Sequence, residues 1–325
     1  TNLWINGSAK NLLDHYFTSD KTKIYMGMTR IESGSSSMYN KGTAFTIPLM
    51  DSGSVFDGYW GYVKGGIWKI TEELSKINQR LGIKFYMSSN INSVDSKRMK
   101  VSFEKEKKDY EIDYDYLIFA TDPTTPSKLL NNFKLEQELE HKDYLGTSGK
   151  ITAFFKNPVK WKEYSPYNNS DSAFRFVFSN ETLNEFETSS QKVVNSSDNY
   201  APSYIQIYAE GAAQRVLNNH EPFDKLIFFI KNIKYGKTAD QLPFIKEKVM
   251  NLIFKYIKNP EDCVSTEFLC PKDLNEIFYF PKGNIDHMAL NENQNYNQRH
   301  FSKNADKGFY LYGEYDNIYY CGAGA

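Results

Sequence analysis

Asn317-Ile318-Tyr319-Tyr320-Cys321-Gly322-Ala323-Gly324-Ala325 closes the chain and reads as a strand running into a glycine turn. Gly-x-Gly at the end of a strand lets backbone N–H groups approach an anion closely, because no Cβ stands in the way. A helix that follows aims its positive end at the same point. Taken alone, these glycines serve equally well as a flexible terminus. Their counterpart upstream is Tyr116-Leu117-Ile118-Phe119-Ala120-Thr121, a continuous apolar run ended by small and polar residues. It reads as a strand buried on both faces in a parallel sheet, and ligands of open α/β sheets sit outside the carboxyl ends of such strands. The reading stands or falls on whether these two strands lie side by side. The expected fold class is α/β.

Outward from these strands, apolar residues at 67, 70, 74, 77 and 81 follow helical spacing from Ile67 to Leu81, with Gly82 as the C-terminal cap. A shorter helix is expected over Ala9–Phe17. Strands are expected at Ile83–Met87, around Ile91–Val94, at Met99–Phe103 and at Tyr110–Ile112, with the charged Glu104–Asp109 as a hairpin turn. Asp122-Pro123-Thr124-Thr125-Pro126 breaks the chain before a short helix at Ser127–Asn131. Further strands are expected at Ile151–Phe155, Phe174–Phe178, Tyr204–Tyr208 and Leu226–Ile230, and a long helix at Leu242–Ile257. Thr29–Asp57 reads as loop with short strands. Asn180–Asn199 is polar, with a weak helical signal at its start.

Composition excludes several classes. Of 325 residues, 40% are hydrophobic and 24% charged, and the net charge is -1, so a packed core is expected and disorder is not. The balanced charge gives no electrostatic reason to expect nucleic acid. No apolar run reaches the ~20 residues of a spanning helix. Thr1–Ile5 carries no basic region followed by an apolar stretch, so no secretory signal is expected. Cys263, Cys270 and Cys321 lack CxxC spacing; they read as buried thiols in a reducing, cytoplasmic compartment, and no metal site is expected. Aromatic residues reach 16%, with 24 Tyr and 23 Phe. Aromatics suit the walls of a ligand cavity, and a coding bias explains the same surplus.

A third region completes the pattern: Cys270-Pro271-Lys272-Asp273-Leu274-Asn275-Glu276-Ile277-Phe278, then Gly283-Asn284-Ile285-Asp286-His287, then Asn293-Gln294 and Arg299. With Tyr319-Tyr320-Cys321-Gly322-Ala323-Gly324, and with Tyr62-Val63-Lys64-Gly65-Gly66-Ile67 upstream, this order and spacing resembles the phytoene-desaturase-like branch of the FAD-dependent amine oxidase superfamily. The closest likeness is to its pyridine nucleotide-disulfide oxidoreductase domain-containing members. Gly82–Val94 resembles the segment after that family's double-glycine helix, and Leu117–Pro123 its next strand.

The resemblance implies an FAD-dependent oxidoreductase, desaturase- or dehydrogenase-like, acting on an apolar or amphipathic small molecule. It implies an incomplete FAD/NAD(P)-binding Rossmann-like part over residues 60–125 and 308–325. A mixed-sheet substrate domain would take residues 1–59 and 126–307. Carried over position by position, Val94 would touch the adenine through its backbone. Ala120 and Thr121 would lie near the adenosine and pyrophosphate, and Gly322, Ala323 and Gly324 against the pyrophosphate and ribityl chain. His287 either faces flavin or substrate or is a buried, hydrogen-bonded histidine; Arg299 either binds an anionic substrate group or pairs with an acid. The family's opening strand–GxGxxG unit and its helix after the last glycine motif have no counterpart in the sequence. Asp286, Asn293 and His300 replace an aromatic, an acid and a proline. A second reading follows: a non-catalytic remnant, or half of a split flavoenzyme whose GxGxxG unit comes from a separate polypeptide.

Overall fold

The computed structural model describes residues 2–28, 37–47, 61–162, 174–194, 203–233, 235–236, 241–291, 294, 299, 301 and 310–324. In chain order the helices are α1 (Asn2–Asn6), α2 (Ala9–Tyr16), α3 (Asp20–Gly27), α4 (Trp68–Arg80), α5 (Thr125–Leu129), α6 (Phe133–Glu140), α7 (Leu183–Val194), α8 (Glu210–Val216), α9 (Leu242–Phe254) and α10 (Pro271–Phe278). The strands are β1 (Ser89–Asp95), β2 (Lys100–Lys105), β3 (Lys108–Asp113), β4 (Leu117–Phe119), β5 (Ser148–Phe155), β6 (Phe174–Phe178), β7 (Tyr204–Tyr208), β8 (Asp224–Lys231), β9 (Cys263–Leu269) and β10 (Ile318–Tyr320). Helices combine with parallel and antiparallel sheets, an α/β fold.

The largest sheet has five strands in the order β6-β7-β8-β5-β9, all antiparallel. Alternate residues on one face, Ile151, Ala153, Phe155, Ile207, Phe228 and Ile230, meet Ile245, Val249 and Ile253 of α9 in the main core. Period 2 in the strands meets the 3.6-residue stripe of the helix, which is what joins a sheet face to a helix. A second core packs Leu12 and Leu13 of α2, Ile24 of α3 and Phe186 of α7 against Tyr204 of β7. α2 begins where it does because the Ser8 hydroxyl accepts from the Asn11 N–H at 3.1 Å.

The strands β1, β2 and β3 form an antiparallel meander. Glu106 and Lys107, both at positive φ (52° and 62°), make the tight turn between β2 and β3. β4 and β10 form a separate two-stranded parallel sheet, with Leu117 opposite Ile318, Ile118 opposite Tyr319 and Phe119 opposite Tyr320. A third core joins it to the meander and the neighbouring helices: Val94, Phe119, Leu135, Leu139, Tyr312, Ile318 and Tyr320.

Several expectations need correction. Ile83–Met87 forms no strand, and its Ile83, Phe85, Tyr86 and Met87 are exposed. A strand exists only with a neighbour to bond, and none of the described strands pairs with it, the Tyr86 ring packing on Phe103 of β2 by side chain alone. The run Tyr116–Thr121 pairs in parallel, but over three residues and with one face open: Phe119 is buried while Ile118 is 63% exposed. Of the three cysteines only Cys270 is buried; Cys263 and Cys321 are partly exposed. The polar stretch after Asn180 holds a full helix, α7, from Leu183 to Val194. The glycine- and serine-rich positions 29–36 and 48–57, the positions 195–199, and Asn293 and His300 lie outside the described residues.

Candidate functional site at the carboxyl ends of two parallel strands

Both parallel strands end at the same level. Phe119 is in register with Tyr320, and the Cys321 N–H donates to the Phe119 carbonyl at 2.9 Å, one step past the last pair. Continuing that register sets Ala120 and Thr121 beside Cys321 and Gly322. Ala120, Gly322 and Ala323 are exposed, so the strand ends form a shelf of small residues. Gly322 has φ of +110°, a conformation open to glycine, and no atom within 4 Å of where a Cβ would sit. Gly324 is the reverse case: it is buried, and a Cβ there would lie 2.5 Å from the Tyr320 hydroxyl and 2.7 Å from Pro123 Cγ. One glycine leaves space above the shelf. The other closes it below. Val94 sits beneath, buried in the core shared with Phe119.

Aromatic side chains fix the opposite lip. The Tyr320 hydroxyl donates to the Thr121 carbonyl at 3.1 Å, and the Tyr312 hydroxyl donates to the Pro123 carbonyl at 3.0 Å. Burial pushes the Tyr144, Tyr312 and Tyr320 phenols well above their ordinary range, so all three stay neutral donors. Asp122 accepts from the Thr124 N–H at 2.8 Å, from the Thr124 hydroxyl at 2.6 Å and from the Thr125 N–H and hydroxyl. Its carboxylate thereby starts α5 and places a negative charge at this end of the sheet.

Arg299 is buried, 7% exposed, and its guanidinium is spent on backbone. It donates to the carbonyls of Met288 (3.0 Å), Gln294 (3.4 Å), Asp286 and Ala323 (2.8 Å). Planar donors in a fixed fork suit this clamp, which ties the glycine turn to the loop carrying His287. Gln294 locks the same loop: its Nε2 donates to the carbonyls of Asp143 and Ala289, and its Oε1 accepts from the Asp143 N–H at 2.6 Å.

His287 has φ of +60° and its ring centroid lies 5.1 Å from that of Phe280. Its Nδ1 is buried without a hydrogen-bond partner. Burial pushes the imidazole pKa down, against an upward pull from Asp122 and Asp286 and with a downward push from Arg299. The ring is therefore neutral at pH 7, with a free nitrogen. Asp122, Tyr144, Tyr312 and Tyr320 are site residues the sequence did not single out. Their signal was faint: an Asp three residues after a strand, and tyrosines among 24.

The polar motif around Pro271 has a local cause. The Cys270 N–H donates to Asp273 Oδ2 at 2.8 Å, capping α10, with Pro271 in its first turn and Tyr279 left-handed (φ 60°) at its end. Among the described residues, cavities are also lined by side chains other than those of the shelf. One of about 400 Å³ is walled by Trp161, Phe176, Phe178 and Tyr256, with the Arg175 guanidinium 4.5 Å from the Trp161 ring. Another, of about 440 Å³, is lined by Asn40, His141, Asp143 and Gln294.

No protein-family pattern matches the chain, and no curated protein does. Solved structures do. The fold is similar to that of cyclohexylamine oxidase from Brevibacterium oxydans IH-35A, with a TM-score of 0.52 at 10% identity, over 98% of this chain and 62% of that one. It is also similar to the PF1083 protein from Pyrococcus furiosus, with a TM-score of 0.50 at 11% identity, over 80% of this chain and 57% of that one. The chain thus spans about three-fifths of the length of these two solved structures. At such identities the likeness is one of fold. Among the described residues no helix is long and apolar enough to cross a membrane.

Proposed function

We propose that this chain is the larger part of an FAD-dependent oxidoreductase acting on an apolar or amphipathic small molecule. The observation that carries the reading is the parallel register of β4 and β10, which sets Ala120 and Thr121 beside Gly322 with open space over the glycine. Small residues at paired strand ends admit a flat, phosphate-bearing cofactor against the backbone, and dinucleotides bind at such ends. The likeness in fold to cyclohexylamine oxidase supports it.

In this reading Ala120 and Thr121 lie by the adenosine and pyrophosphate, and Gly322, Ala323 and Gly324 against the pyrophosphate and ribityl chain. Val94 supports the adenine end. A bound flavin would supply a hydride acceptor for a substrate C–H bond, and the protein's share would be orientation and electrostatics. Arg299 holds the Ala323 carbonyl and the His287 loop in one arrangement. Neutral His287 keeps its Nδ1 buried and unpaired within the loop that Arg299 holds. The division into a cofactor part (60–125 and 308–325) and a substrate part (1–59 and 126–307) belongs to the same proposal. The five-stranded sheet has its core within 126–307, which supports it, while the core under the parallel pair also draws Leu135, Leu139, Met288 and Phe301 from the substrate part.

The test is the visible spectrum of the purified protein with added FAD, followed by identification of the cofactor released on denaturation. Flavin absorbance with FAD at about one equivalent is expected. A protein that stays colourless with FAD, both alone and with a GxGxxG-containing polypeptide, removes the reading. Colour only in the second mixture favours the split form.

A further inference from the structure

The outer strand of the five-stranded sheet, β6, carries on its rim the cavity of about 400 Å³, which takes its lining from both faces of the strand. Register sets Arg175 and Val177 on the face of Ile207 and Ile205, and Phe176 and Phe178 on the face of Gln206 and Tyr204. Trp161, Lys162 and Tyr256 add to the lining, and so do Lys21 and Ile24 of α3. The aromatic walls are fixed from behind. Trp161 is buried and bridges Ile257 of the main core, and the Lys162 N–H donates to the Tyr256 carbonyl at 2.9 Å. Phe176 and Phe178 stack with ring centroids 6.0 Å apart and planes 14° from parallel, and Tyr25 of α3 meets Phe176 edge-on at 5.5 Å. The cavity is therefore formed before a ligand arrives, and its volume lies within the range of small-molecule sites.

Charge in this lining is one-sided. Among the described residues it sets Lys21, Lys162 and Arg175 against the carboxylate of Glu181. Glu181 lies 3.7 Å from Lys21, so that acid is matched on the α3 side. Arg175 and Lys162 remain as the charges on the Trp161 side. The Arg175 guanidinium lies 4.5 Å from the centre of the Trp161 ring. Stacked there, it gives one face to the indole and keeps its donors in its own plane, where a carboxylate takes two of them. Burial pushes the Arg175 pKa below its ordinary value, because the cation has lost part of its hydration. An anion on the guanidinium offsets that loss.

We infer that the cavity on the rim of β6 binds a small aryl carboxylate, its ring among the aromatic walls and its carboxylate on Arg175, with Lys162 beside it. The walls favour a ring over an acyl chain, since stacked and edge-on contacts need a flat partner. The excess of positive charge favours an anion over an amine or a neutral molecule. The site is independent of the cofactor reading. No residue of the shelf lines it, and β4 and β10 belong to another sheet.

The test is calorimetric titration of the purified protein with cinnamate, a planar aryl carboxylate, and with cinnamamide, its uncharged isostere. Cinnamate should bind, with the amide about tenfold weaker, for want of the charge-assisted pair of hydrogen bonds. Both ligands are measured on the unaltered chain, so this arm does not depend on the folding of a variant. Arg175→Met should weaken cinnamate by about tenfold or more and leave the amide within about twofold. Lys162→Gln, at an exposed position, should weaken cinnamate by about threefold, and Lys21→Gln, already paired with Glu181, by less than about twofold. Circular dichroism and urea midpoints check that each variant is folded. An amide that binds as tightly as the anion, an Arg175→Met protein that binds cinnamate unchanged, or no binding of cinnamate at about 1 mM would each overturn the inference. Octanoate binding more tightly than cinnamate would overturn the choice of a ring. Saturating FAD should leave the cinnamate affinity within about twofold. Competition between the two would put the ligand at the shelf and overturn the separate site.

Discussion

Phe119 of β4 stands opposite Tyr320 of β10 in parallel register, and the Tyr320 hydroxyl reaches past it to the Thr121 carbonyl at 3.1 Å. One strand thus positions the turn that ends the other. The shelf is a joint product of segments about two hundred positions apart in sequence. Its shape depends on contacts that single substitutions can remove.

Arg299 is the largest of these contacts. Replacing it with Met leaves the carbonyls of Met288, Gln294, Asp286 and Ala323 without their shared donor. Loss of stability on the order of 3 kcal/mol is expected, from several buried groups left unpaired. Arg299→Lys should recover only part of it, because a point charge cannot serve a fork of carbonyls. Urea unfolding of the three proteins reads the difference. Equal midpoints would mean the clamp carries no stability.

Gly322 and Gly324 should separate by phenotype. Gly324→Ala drives a Cβ into Tyr320 and Pro123 and is expected to destabilise by about 1–3 kcal/mol. Gly322→Ala meets open space and pays only for its left-handed backbone, of order 1 kcal/mol, yet it fills the face proposed to hold the cofactor. Thermal unfolding with and without FAD distinguishes them: Gly322→Ala should lose the FAD-dependent increment while keeping most of its intrinsic stability.

His287 predicts a pH dependence. Its pKa in the fold is lowered from 6.5 by burial, so the unfolded chain binds the proton more readily. Its contribution is fully present above about pH 6.5 and is lost as pH falls through the lowered folded value. His287→Gln should flatten the stability profile below pH 6.5 relative to the parent chain. Parallel profiles over that window would assign the acid sensitivity to other groups.

Gln214 holds the start of α4. Gln214→Ala removes the acceptor of the Gly65 N–H and the donor to the Val63 carbonyl, at a cost of about 1–2 kcal/mol. The local effect is the sharper readout. Amides in the first turn of α4 should lose exchange protection more than those of α9, which is packed in the main core.

What could be read in advance follows the range of the forces. The helical spacing at 67, 70, 74, 77 and 81 and the alternation in Ile151–Phe155 are local, and α4 and β5 formed where the period put them. The Gly-x-Gly ending and the small residues after Phe119 marked two strand ends, and the structure aligns them. Strand existence was less legible, because it depends on a neighbour. Ile83–Met87 has the composition of a strand and no described strand paired with it. The same limit hid Asp122, Tyr312 and Tyr320, whose roles come from hydrogen bonds across long separations.

The sequence by itself determined the helical period of α4, the alternation of β5, and which two strand ends carry small residues. Those properties reside in consecutive residues and the period of the backbone. Only the tertiary structure decided that β4 and β10 are parallel neighbours, that Arg299 spends its donors on four carbonyls, and that the stripe of α4 is left uncovered. Each of these depends on what another part of the chain places within reach of a hydrogen bond or a van der Waals contact, and no local pattern encodes that distance.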